Sequence, residues 1–205
     1  MSTRPPGHAA IVRAARAEFA ERGYGATSIR DIAQRAGVSL SALYYYYKGK
    51  QDLLVAILDD AQDAYFSSCE QALAEAGEDP AEQLEALVEA TVRYRSTHAS
   101  KSNILLSEER SLEPEHLERY RADNARSTRR FRDIIERGVQ DGLFLTPYPD
   151  DARRAVIAMC NAVAQWYEPG GALSEDDLVE RYVSLALTAV EYRPRAPRRA
   201  SRTQA

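Results

Sequence analysis

Residues that build metal centres and disulfide frameworks are scarce in this sequence. Among 205 residues there are two cysteines, three histidines and one tryptophan. Cys69 and Cys160 stand alone within helical patterns, which favours two buried thiols in a reducing cytoplasm over a disulfide or a metal pair. His8, His98 and His116 are not spaced as ligands of one metal ion. We therefore expect neither a metal site nor a cofactor.

Long apolar stretches and catalytic constellations are missing as well. No apolar run approaches the roughly 20 residues needed to span a bilayer, and the opening MSTRPPGHAA lacks the apolar stretch of a secretory signal. No Ser/His/Asp set, Cys/His set or phosphate-binding loop is recognisable. The adjacent Glu108 and Glu109 are better explained as helix caps or as partners of Arg110 and its neighbours than as catalytic carboxylates. The sequence indicates a cytoplasmic protein without membrane contact or enzymatic activity.

Charge, by contrast, is plentiful and unevenly distributed beneath a net charge of −4. Residues 1–51 carry eight Lys or Arg against three Asp or Glu, a net charge of +5. Residues 52–192 carry 14 against 28, a net charge of −14, and the last thirteen residues add five arginines and no acid. A basic first quarter on an acidic body is the pattern expected of a segment that binds nucleic acid.

Helical periodicity dominates the chain and no alternating strand pattern persists, so we predict an all-α fold. Three short helices occupy the first quarter, and longer ones follow. We predict a first domain over residues 1–50, a second over 51–192, and a disordered Pro/Arg-rich tail over 193–205. The predicted helices cover about 7–22, 29–36, 39–46, 50–77, 80–100, 103–112, 114–142, 150–166 and 175–192.

The four consecutive tyrosines at positions 44–47 cannot share one buried helix face, because successive residues point about 100° apart. With the turn at Gly37, the second and third helices match a helix-turn-helix, whose second helix enters the major groove of DNA. Leu43 and Tyr47 are placed to face the core. The opposite stripe of the third helix is then left to meet DNA.

Side chains around this recognition helix divide by the contacts that their chemistry allows. Hydroxyl and ammonium groups can bind phosphates, which fixes register without reading sequence, whereas the outward stripe can touch base edges. Lys50 also lies at a helix start, where free backbone N–H groups favour a phosphate. The predicted DNA-binding set is Thr27, Ser28, Ser39, Tyr44, Tyr46 and Lys50 towards phosphates or as caps, Leu40, Ser41 and Tyr45 towards bases, and Arg30 towards either.

The stretch from Thr27 to Leu54, TSIRDIAQRAGVSLSALYYYYKGKQDLL, resembles the DNA-binding signature of the TetR (tetracycline-repressor-like) family. The matching pieces are TSIRDIA, AGVS, LYYYY and KQDLL, which begins at Lys50. Together with AARAEFAERGYGAT, the resemblance covers about residues 8–55. Tyr47 stands where the family usually has Phe, so its hydroxyl needs a partner. The resemblance implies a three-helix DNA-binding domain, a variable helical domain that binds a small ligand, and a homodimer that the ligand releases from a palindromic operator.

The second half of the chain resembles a subgroup of these repressors that controls fatty-acid or steroid-ring breakdown and responds to acyl-CoA thioesters. RDIIERGVQDGLF and NAVAQWYEPGGALSEDDLVERYVSLAL carry this likeness, most clearly in WYxPGG at positions 166–171. An aromatic helix end packed under a Pro-Gly turn is the alternative interpretation of that piece. The likeness implies an acyl-CoA as the effector.

A ligand pocket is expected among the fourth to eighth helices, which are rich in Tyr and Leu. Arg126, Arg129 and Arg130 share one helix face and can meet CoA phosphates, although a solvated face is the simpler interpretation. Ordinary core packing is likewise the alternative for each apolar position. The predicted ligand-binding set is Tyr65, Leu87, Tyr94, Leu105, Leu106, Arg126, Arg130, Phe131 and Trp166.

Apolar stripes on the eighth and ninth helices predict the dimer interface, a four-helix contact about a twofold axis. Closure of the monomer's own core is the competing interpretation of these stripes. The predicted interface set is Val156, Met159, Val163, Leu178, Tyr182 and Leu185.

Three functions compete at this point. A ligand-responsive repressor explains both the helix-turn-helix and the basic first quarter. A helical small-molecule-binding protein or enzyme leaves that basic quarter unexplained and lacks a catalytic set. A non-specific chromatin-type binder is disfavoured because duplex DNA repels a body of charge −14. The arginine-rich tail can add sequence-independent attraction to phosphate, although plain disorder is the simpler expectation.

Overall fold

The computed structural model describes residues 6–194, and within them it contains nine α-helices and one short 3-10 helix, Glu108–Ser111. The all-α prediction is confirmed, and the extended pairing in this part of the chain is a single bridge between Phe144 and Tyr192. The predicted tail lies outside the described residues from position 195 onward. In chain order the helices are α1 (Pro6–Ala26), α2 (Ile29–Ala36), α3 (Leu40–Tyr46), α4 (Lys50–Glu75), α5 (Pro80–Thr97), α6 (Ala99–Ser107), α7 (Pro114–Gln140), α8 (Pro149–Trp166) and α9 (Glu175–Ala189).

Helices α2 and α3 are bounded by short-range hydrogen bonds that the sequence encodes. The Ser28 hydroxyl accepts from the Asp31 N–H at 3.2 Å, and the Asp31 carboxylate accepts from the Ser28 N–H at 2.9 Å, which forms a capping box. Gly37 ends α2 in the left-handed conformation at φ +67°, where a side chain would be strained. Ser39 then caps α3 by accepting from the Ala42 N–H at 3.1 Å.

Two clusters of buried apolar residues hold the helices together. The first, the N-terminal core, is formed mainly by α1–α4 and comprises Ile11, Ala14, Ala15, Phe19, Ile32, Ala33, Leu43, Tyr47, Leu53, Leu54, Ile57, Leu58, Ala61, Ile104, Leu112 and Tyr120. The second, the C-terminal core, is formed by α4, α5 and α7–α9 with the segment after α7, around Tyr65, Phe66, Leu84, Val88, Phe131, Ile135, Phe144, Val156, Val163 and Leu178.

Helix α4 belongs to both cores. Its first half contributes Leu53 and Ile57 to the N-terminal core, and its second half contributes Phe66 and Cys69 to the C-terminal core. The predicted domain boundary between residues 50 and 51 falls in the first turn of this helix. The division into two domains stays a prediction. A second link comes from α6, which places Ile104 in the N-terminal core.

The helix boundaries around residue 98 differ from the prediction. Helix α5 ends at Thr97 rather than near 100, because His98 leaves the helical region (φ −118°, ψ 41°). Its ring stacks on Tyr94 with the ring centres 4.7 Å apart. The helix predicted over 103–112 is therefore α6, which begins at Ala99, followed by the 3-10 turn.

Gly138, near the end of α7, allows a close approach between two segments of the C-terminal core. A Cβ atom at this position would collide with the ring of Phe144, which is 1% exposed. The chain can therefore fold back after α7, and the Leu145 N–H donates to the carbonyl of Val190 at 3.1 Å. Because Gly138 has no side chain, the segment after α7 can pack against it and form a hydrogen bond with the end of α9.

We expect Gly138→Ala to destabilise the protein, although Ala is the better helix former by roughly 1 kcal/mol. The added methyl overpacks the Phe144 site, at a typical cost of about 1–3 kcal/mol, so the net change should be destabilising. Urea unfolding followed by circular dichroism measures it. Gly25→Ala is the matched control, since a Cβ there meets no atom within 4 Å. Equal stability of the two variants would contradict the packing explanation.

Candidate DNA-binding surface and ligand cavity

The recognition helix α3 turns one face inward and presents the other to solvent. Leu43 is fully buried, and Tyr47 is 8% exposed in the N-terminal core. Tyr45 is 83% exposed and Tyr44 48%, and Ser41 is exposed beside them. Three side chains predicted to contact DNA therefore share one solvent-facing surface, on a helix held in place from behind.

The hydroxyl of Tyr47 has the partner that its position in the core requires. It lies 2.7 Å from Nε2 of His8 on α1, and the two rings pack with centres 5.4 Å apart. Tyr46 packs edge-on against the same imidazole at 5.9 Å. The histidine therefore ties the end of α3 to the start of α1, a role that the sequence analysis did not assign to it.

Other predicted DNA contacts lie around this face. Arg30 is exposed on α2, and Ser28 and Ser39 are exposed at the starts of α2 and α3, although both hydroxyl groups already act as caps. Leu40 is half-buried against the N-terminal core, which leaves only part of its side chain for a base. The exposed guanidinium group of Arg30 can pair with a DNA phosphate.

Thr27 and Lys50 require correction as phosphate contacts. Thr27 is 2% exposed, and its hydroxyl donates to the carbonyls of Gly23 at 2.9 Å and Glu18 at 3.2 Å. The ammonium of Lys50 donates to the carbonyls of Tyr24 and Thr27, both at 2.7 Å, and lies 4.1 Å from the centre of the Tyr24 ring. Lys50 therefore closes the end of α1 in this structure instead of facing DNA.

Lys48 is the basic residue that the sequence analysis left out. It lies directly after the tyrosine run, and its side chain is exposed. Several other cations of the first quarter are engaged by acids: Arg35 binds the carboxylate of Glu21 at 2.5 Å and that of Glu18 at 3.1 Å, and these contacts raise the pKa of Arg35. The net charge of +5 already subtracts these acids, and Arg30 on α2 and Lys48 directly after α3 are exposed cations next to the recognition helix in sequence.

A partly enclosed cavity of about 230 Å³ lies between α4, α5, α6, α7 and α8. This is below the roughly 300–1,000 Å³ common for drug-sized ligands, so it suits a small group or one end of a larger molecule. Polar side chains outnumber apolar ones around it. The lining residues are Gln62, Tyr65, Phe66, Arg95, Leu106, Glu109, Tyr120, Asn124, Ser127, Thr128, Ile157 and Asn161.

Two of the predicted ligand-binding residues, Tyr65 and Leu106, line this cavity. Burial raises the pKa of Tyr65 to about 12, so its hydroxyl stays protonated and can donate. The side chain of Leu105 lies outside the described residues. The other apolar positions require correction: Leu87, Tyr94 and Phe131 are buried in the C-terminal core, and Trp166 is half-exposed at the end of α8.

Arg126 and Arg130 lie beside the cavity without lining it. Both guanidinium groups bind the carboxylate of Glu70 on α4. They also lie over the ring of Phe66, at 5.8 Å and 5.7 Å from its centre, and that ring is part of the cavity wall. These two arginines therefore occupy its rim, while Arg129 is exposed on the same helix.

The predicted dimer residues divide into buried and exposed groups. Val156, Val163 and Leu178 are fully buried within the chain's own C-terminal core, which corrects their assignment to an interface. Tyr182 and Met159 are half-buried, and Leu185 is 51% exposed. Trp166 stacks on Tyr182 with ring centres 6.4 Å apart and an interplanar angle of 27°, so an apolar surface remains across α8 and α9.

Groups with other potential chemistry are occupied or buried. Glu109 pairs with Arg121 at 2.8 Å, and Glu108 accepts from Ser111, the residue after Arg110, at 2.6 Å, so both carboxylates are engaged by polar side chains. Cys69 and Cys160 are free and buried, and burial raises the pKa of both, which makes them poor nucleophiles. Within residues 6–194 there is no cluster of three metal-binding side chains, and no helix there has the length and hydropathy to cross a bilayer.

Comparison with known proteins finds two matching family models. "Bacterial regulatory proteins, tetR family" matches residues 11–57, and "Tetracyclin repressor-like, C-terminal domain" matches residues 77–190. The HTH-type transcriptional repressor KstR2 of Rhodococcus jostii is 33% identical over 82% of this chain and 83% of its own length. A tetR-family regulatory protein from Rhodococcus RHA1 aligns with a TM-score of 0.86 at 29% identity, over 93% of this chain and 100% of that one. AibR, solved with isovaleryl coenzyme A and operator DNA, shares the fold at a TM-score of 0.80 and 21% identity, over 87% and 97% of the two chains.

Substitution of the two lysines beside the recognition helix should change different properties: DNA affinity for Lys48 and folding stability for Lys50. Lys48→Ala should weaken binding to all duplexes and reduce the salt slope by about one ion, with no change in melting temperature. Lys50→Ala should lower the stability by about 1–3 kcal/mol, because it strips a charged donor from two carbonyls. Salt-dependent fluorescence anisotropy and thermal unfolding measure the two effects. A loss of affinity in Lys50→Ala at a temperature where it is fully folded would show that Lys50 turns to DNA instead.

Proposed function

The chain belongs to the TetR family of DNA-binding transcriptional regulators, and from that premise we propose that it is a cytoplasmic repressor. Its homodimer binds a palindromic operator through two copies of α3 and leaves it when an acyl-CoA or similar effector enters the helical domain. The observation that carries this proposal is the exposed face of α3, with Ser41, Tyr44 and Tyr45 outward, together with the exposed cations Arg30 on α2 and Lys48 directly after α3. Such a surface combines base-reading groups with phosphate-binding ones.

The route from cavity to DNA runs through α6 and the 3-10 turn. Leu106 and Glu109 line the cavity, whereas Ile104 and Leu112 pack in the N-terminal core. A ligand that displaces this segment therefore acts directly on the packing beneath α1. Effects of about 1–3 kcal/mol are typical of coupling between two sites.

A hydrogen-bonded bridge reinforces the same route. With its amide oriented to satisfy its neighbours, Gln51 at the start of α4 donates to the carbonyl of Ser111 at 3.2 Å and to the hydroxyl of Tyr24 at 2.8 Å. Its oxygen accepts from the Glu113 N–H at 2.9 Å. The segment that follows the cavity wall is thus fastened to both α1 and α4.

An acyl-CoA effector is supported by the two arginines at the cavity rim. The cavity can take an acyl group, while Arg126 and Arg130 exchange Glu70 for the phosphates of the coenzyme, which are stronger bidentate partners. The relationship to AibR, a protein crystallised with isovaleryl coenzyme A, provides a precedent within the fold. The sequence likeness around WYxPGG points to the same ligand class.

Dimerisation is proposed through the apolar surface formed by Trp166, Tyr182 and Leu185 on α8 and α9. A twofold axis through this surface would pair each helix with its copy and cover the stacked aromatic rings. The proposal gives Trp166 a place at the interface instead of in the ligand pocket.

Operator release tests the central proposal. The protein should shift a DNA fragment from the promoter beside its own gene and not a scrambled fragment of equal length, and an acyl-CoA from a panel of chain lengths should reverse the shift. Coenzyme A alone is the ligand control, and Arg126→Gln/Arg130→Gln should raise the acyl-CoA concentration needed about tenfold or more. Absence of any specific shift at low salt would refute the repressor proposal. A specific shift that no acyl-CoA reverses would refute the effector class alone.

Introducing a charge at the proposed interface should produce monomers. Leu185→Glu places an unpaired carboxylate in a contact that excludes water, so the dimer should dissociate and operator affinity should fall. Leu145→Glu is the matched control, because Leu145 is 53% exposed, close to the 51% of Leu185, and lies on the loop after α7. Analytical ultracentrifugation gives the mass of each. A Leu185→Glu variant that remains dimeric would place the interface elsewhere.

A further inference from the structure

Arg95 on α5 is a buried cation without an acidic partner in the part of the chain that is described. It is 4% exposed and lines the cavity. Its one hydrogen bond there runs from Nε to the amide oxygen of Asn161 on α8 at 3.2 Å. Its Nη1 is buried with no hydrogen-bond partner among these residues. Most of this guanidinium's bonding capacity is therefore unused in the folded chain.

Arg16 and Arg130 each also have one buried nitrogen without a partner among the described residues, but Arg16 binds Asp60 and Arg130 binds Glu70, whereas Arg95 has no acid. Arg153, 7% exposed, binds Asp150 at 3.1 Å. Glu109, the acid that lines the same cavity, is held by Arg121 at 2.8 Å. The rings of Tyr65 and Tyr94 lie 4.7 Å and 5.7 Å from the Arg95 guanidinium and offset part of the desolvation, but they supply no negative charge. Leaving a buried cation unpaired is costly enough that a folded protein rarely retains one without a use.

The cavity around Arg95 offers further donors for an anion. Asn161 accepts from Arg95 through its oxygen, which leaves the amide nitrogen as a donor. Nε2 of Gln62 donates to Oδ1 of Asn124 at 3.3 Å, which leaves its second N–H as a donor, whereas the Ser127 hydroxyl already donates to the Tyr65 hydroxyl at 3.4 Å. Neutral donors surrounding one planar cation are the arrangement that recognises a carboxylate.

We propose that Arg95 is the receptor for a carboxylate carried by the effector. This deepens the proposed function, on which it rests, by stating what the innermost group of the ligand is. Two kinds of molecule can bring that group: a free organic acid, or a dicarboxylic acid whose other end is a coenzyme A thioester. In the second kind the free carboxylate meets Arg95 while the coenzyme reaches the rim arginines. A plain fatty acyl-CoA would leave the guanidinium unpaired.

Direct binding to the full-length protein without DNA tests the inference, with probe pairs that differ in one charge. The pairs are hexanoate against hexanamide, and adipyl-CoA against hexanoyl-CoA, each measured by isothermal titration calorimetry. At least one carboxylate probe should bind about tenfold more tightly or better than its neutral partner, as expected for a charge-assisted hydrogen bond. Preference within the first pair identifies a free acid, and preference confined to the second identifies a thioester of a diacid.

Substitutions assign the preference to Arg95. Arg95→Gln should abolish the difference within each pair, and Arg95→Lys should retain part of it, because lysine keeps the charge without the planar fork. Arg93→Gln is the matched control, two residues along α5, with its guanidinium bound to Glu89 and Asp176 outside this cavity. It should bind all probes as the wild type does.

The outcomes separate this inference from the repressor proposal. Equal binding within both pairs by the wild-type protein, or no binding by either carboxylate probe, overturns the role of Arg95 whether or not any variant folds. Retention of the full preference by Arg95→Gln also overturns it. Specific binding of the unliganded dimer to its operator is measured independently of these probes, so the repressor proposal can stand when the carboxylate proposal fails.

Discussion

Helix α4 continues without interruption from Lys50 to Glu75 while its side chains enter two different cores. Leu53, Leu54 and Ile57 are fully buried in the N-terminal core, and Cys69, about three turns further on, is buried in the C-terminal core. Because a close-packed helix cannot bend freely between two such anchors, the DNA-facing helices and the cavity are parts of one mechanical unit. The surface of α3, the shape of the cavity and the route through α6 all depend on this shared helix.

Electrostatics divides the molecule in a way that net charge does not reveal. In the N-terminal quarter, Glu18 and Glu21 engage Arg22 and Arg35, and Lys50 is bound to carbonyls, so these cations maintain the fold. The cations left for a polyanion are those that no acid holds. Deeper in the chain the reverse situation occurs at Arg95, where burial and the lack of an acidic partner among the described residues mark a group whose proposed partner is a ligand.

Local sequence signals predicted the DNA-binding half well because caps, turns and helix faces are encoded by neighbours in the chain. The cap at Ser28, the turn at Gly37 and the inward position of Tyr47 could all be recognised this way. Lys50 could not, since its carbonyl partners, Tyr24 and Thr27, are 26 and 23 residues away in sequence. Thr27 was assigned to a phosphate although the Gly23 carbonyl that binds its hydroxyl is only four residues away. Periodicity indicated that Val156, Val163 and Leu178 face apolar surroundings, but it cannot tell whether the covering helix belongs to the same chain. A pocket was predicted among the fourth to eighth helices, but most of its polar lining was missed for the same reason: these residues come from helices far apart in sequence, and no short motif joins Arg95 to Asn161.

The length of α4 also sets a geometric scale for communication between the cavity and DNA. From Lys50 to Tyr65, the first cavity-lining aromatic residue on this helix, a rise of 1.5 Å per residue gives roughly 23 Å. A tilt of about 5° at the cavity end would therefore carry the other end through about 2 Å, and in a twofold dimer the two displacements would add. Half-sites on B-DNA repeat at about 34–36 Å, so a change of about 4 Å in the span between recognition helices is more than a tenth of the helical repeat. Through a rigid α4 of this length, a change of one side-chain rotamer around a small ligand would be enough to move the recognition helices out of register with the major groove.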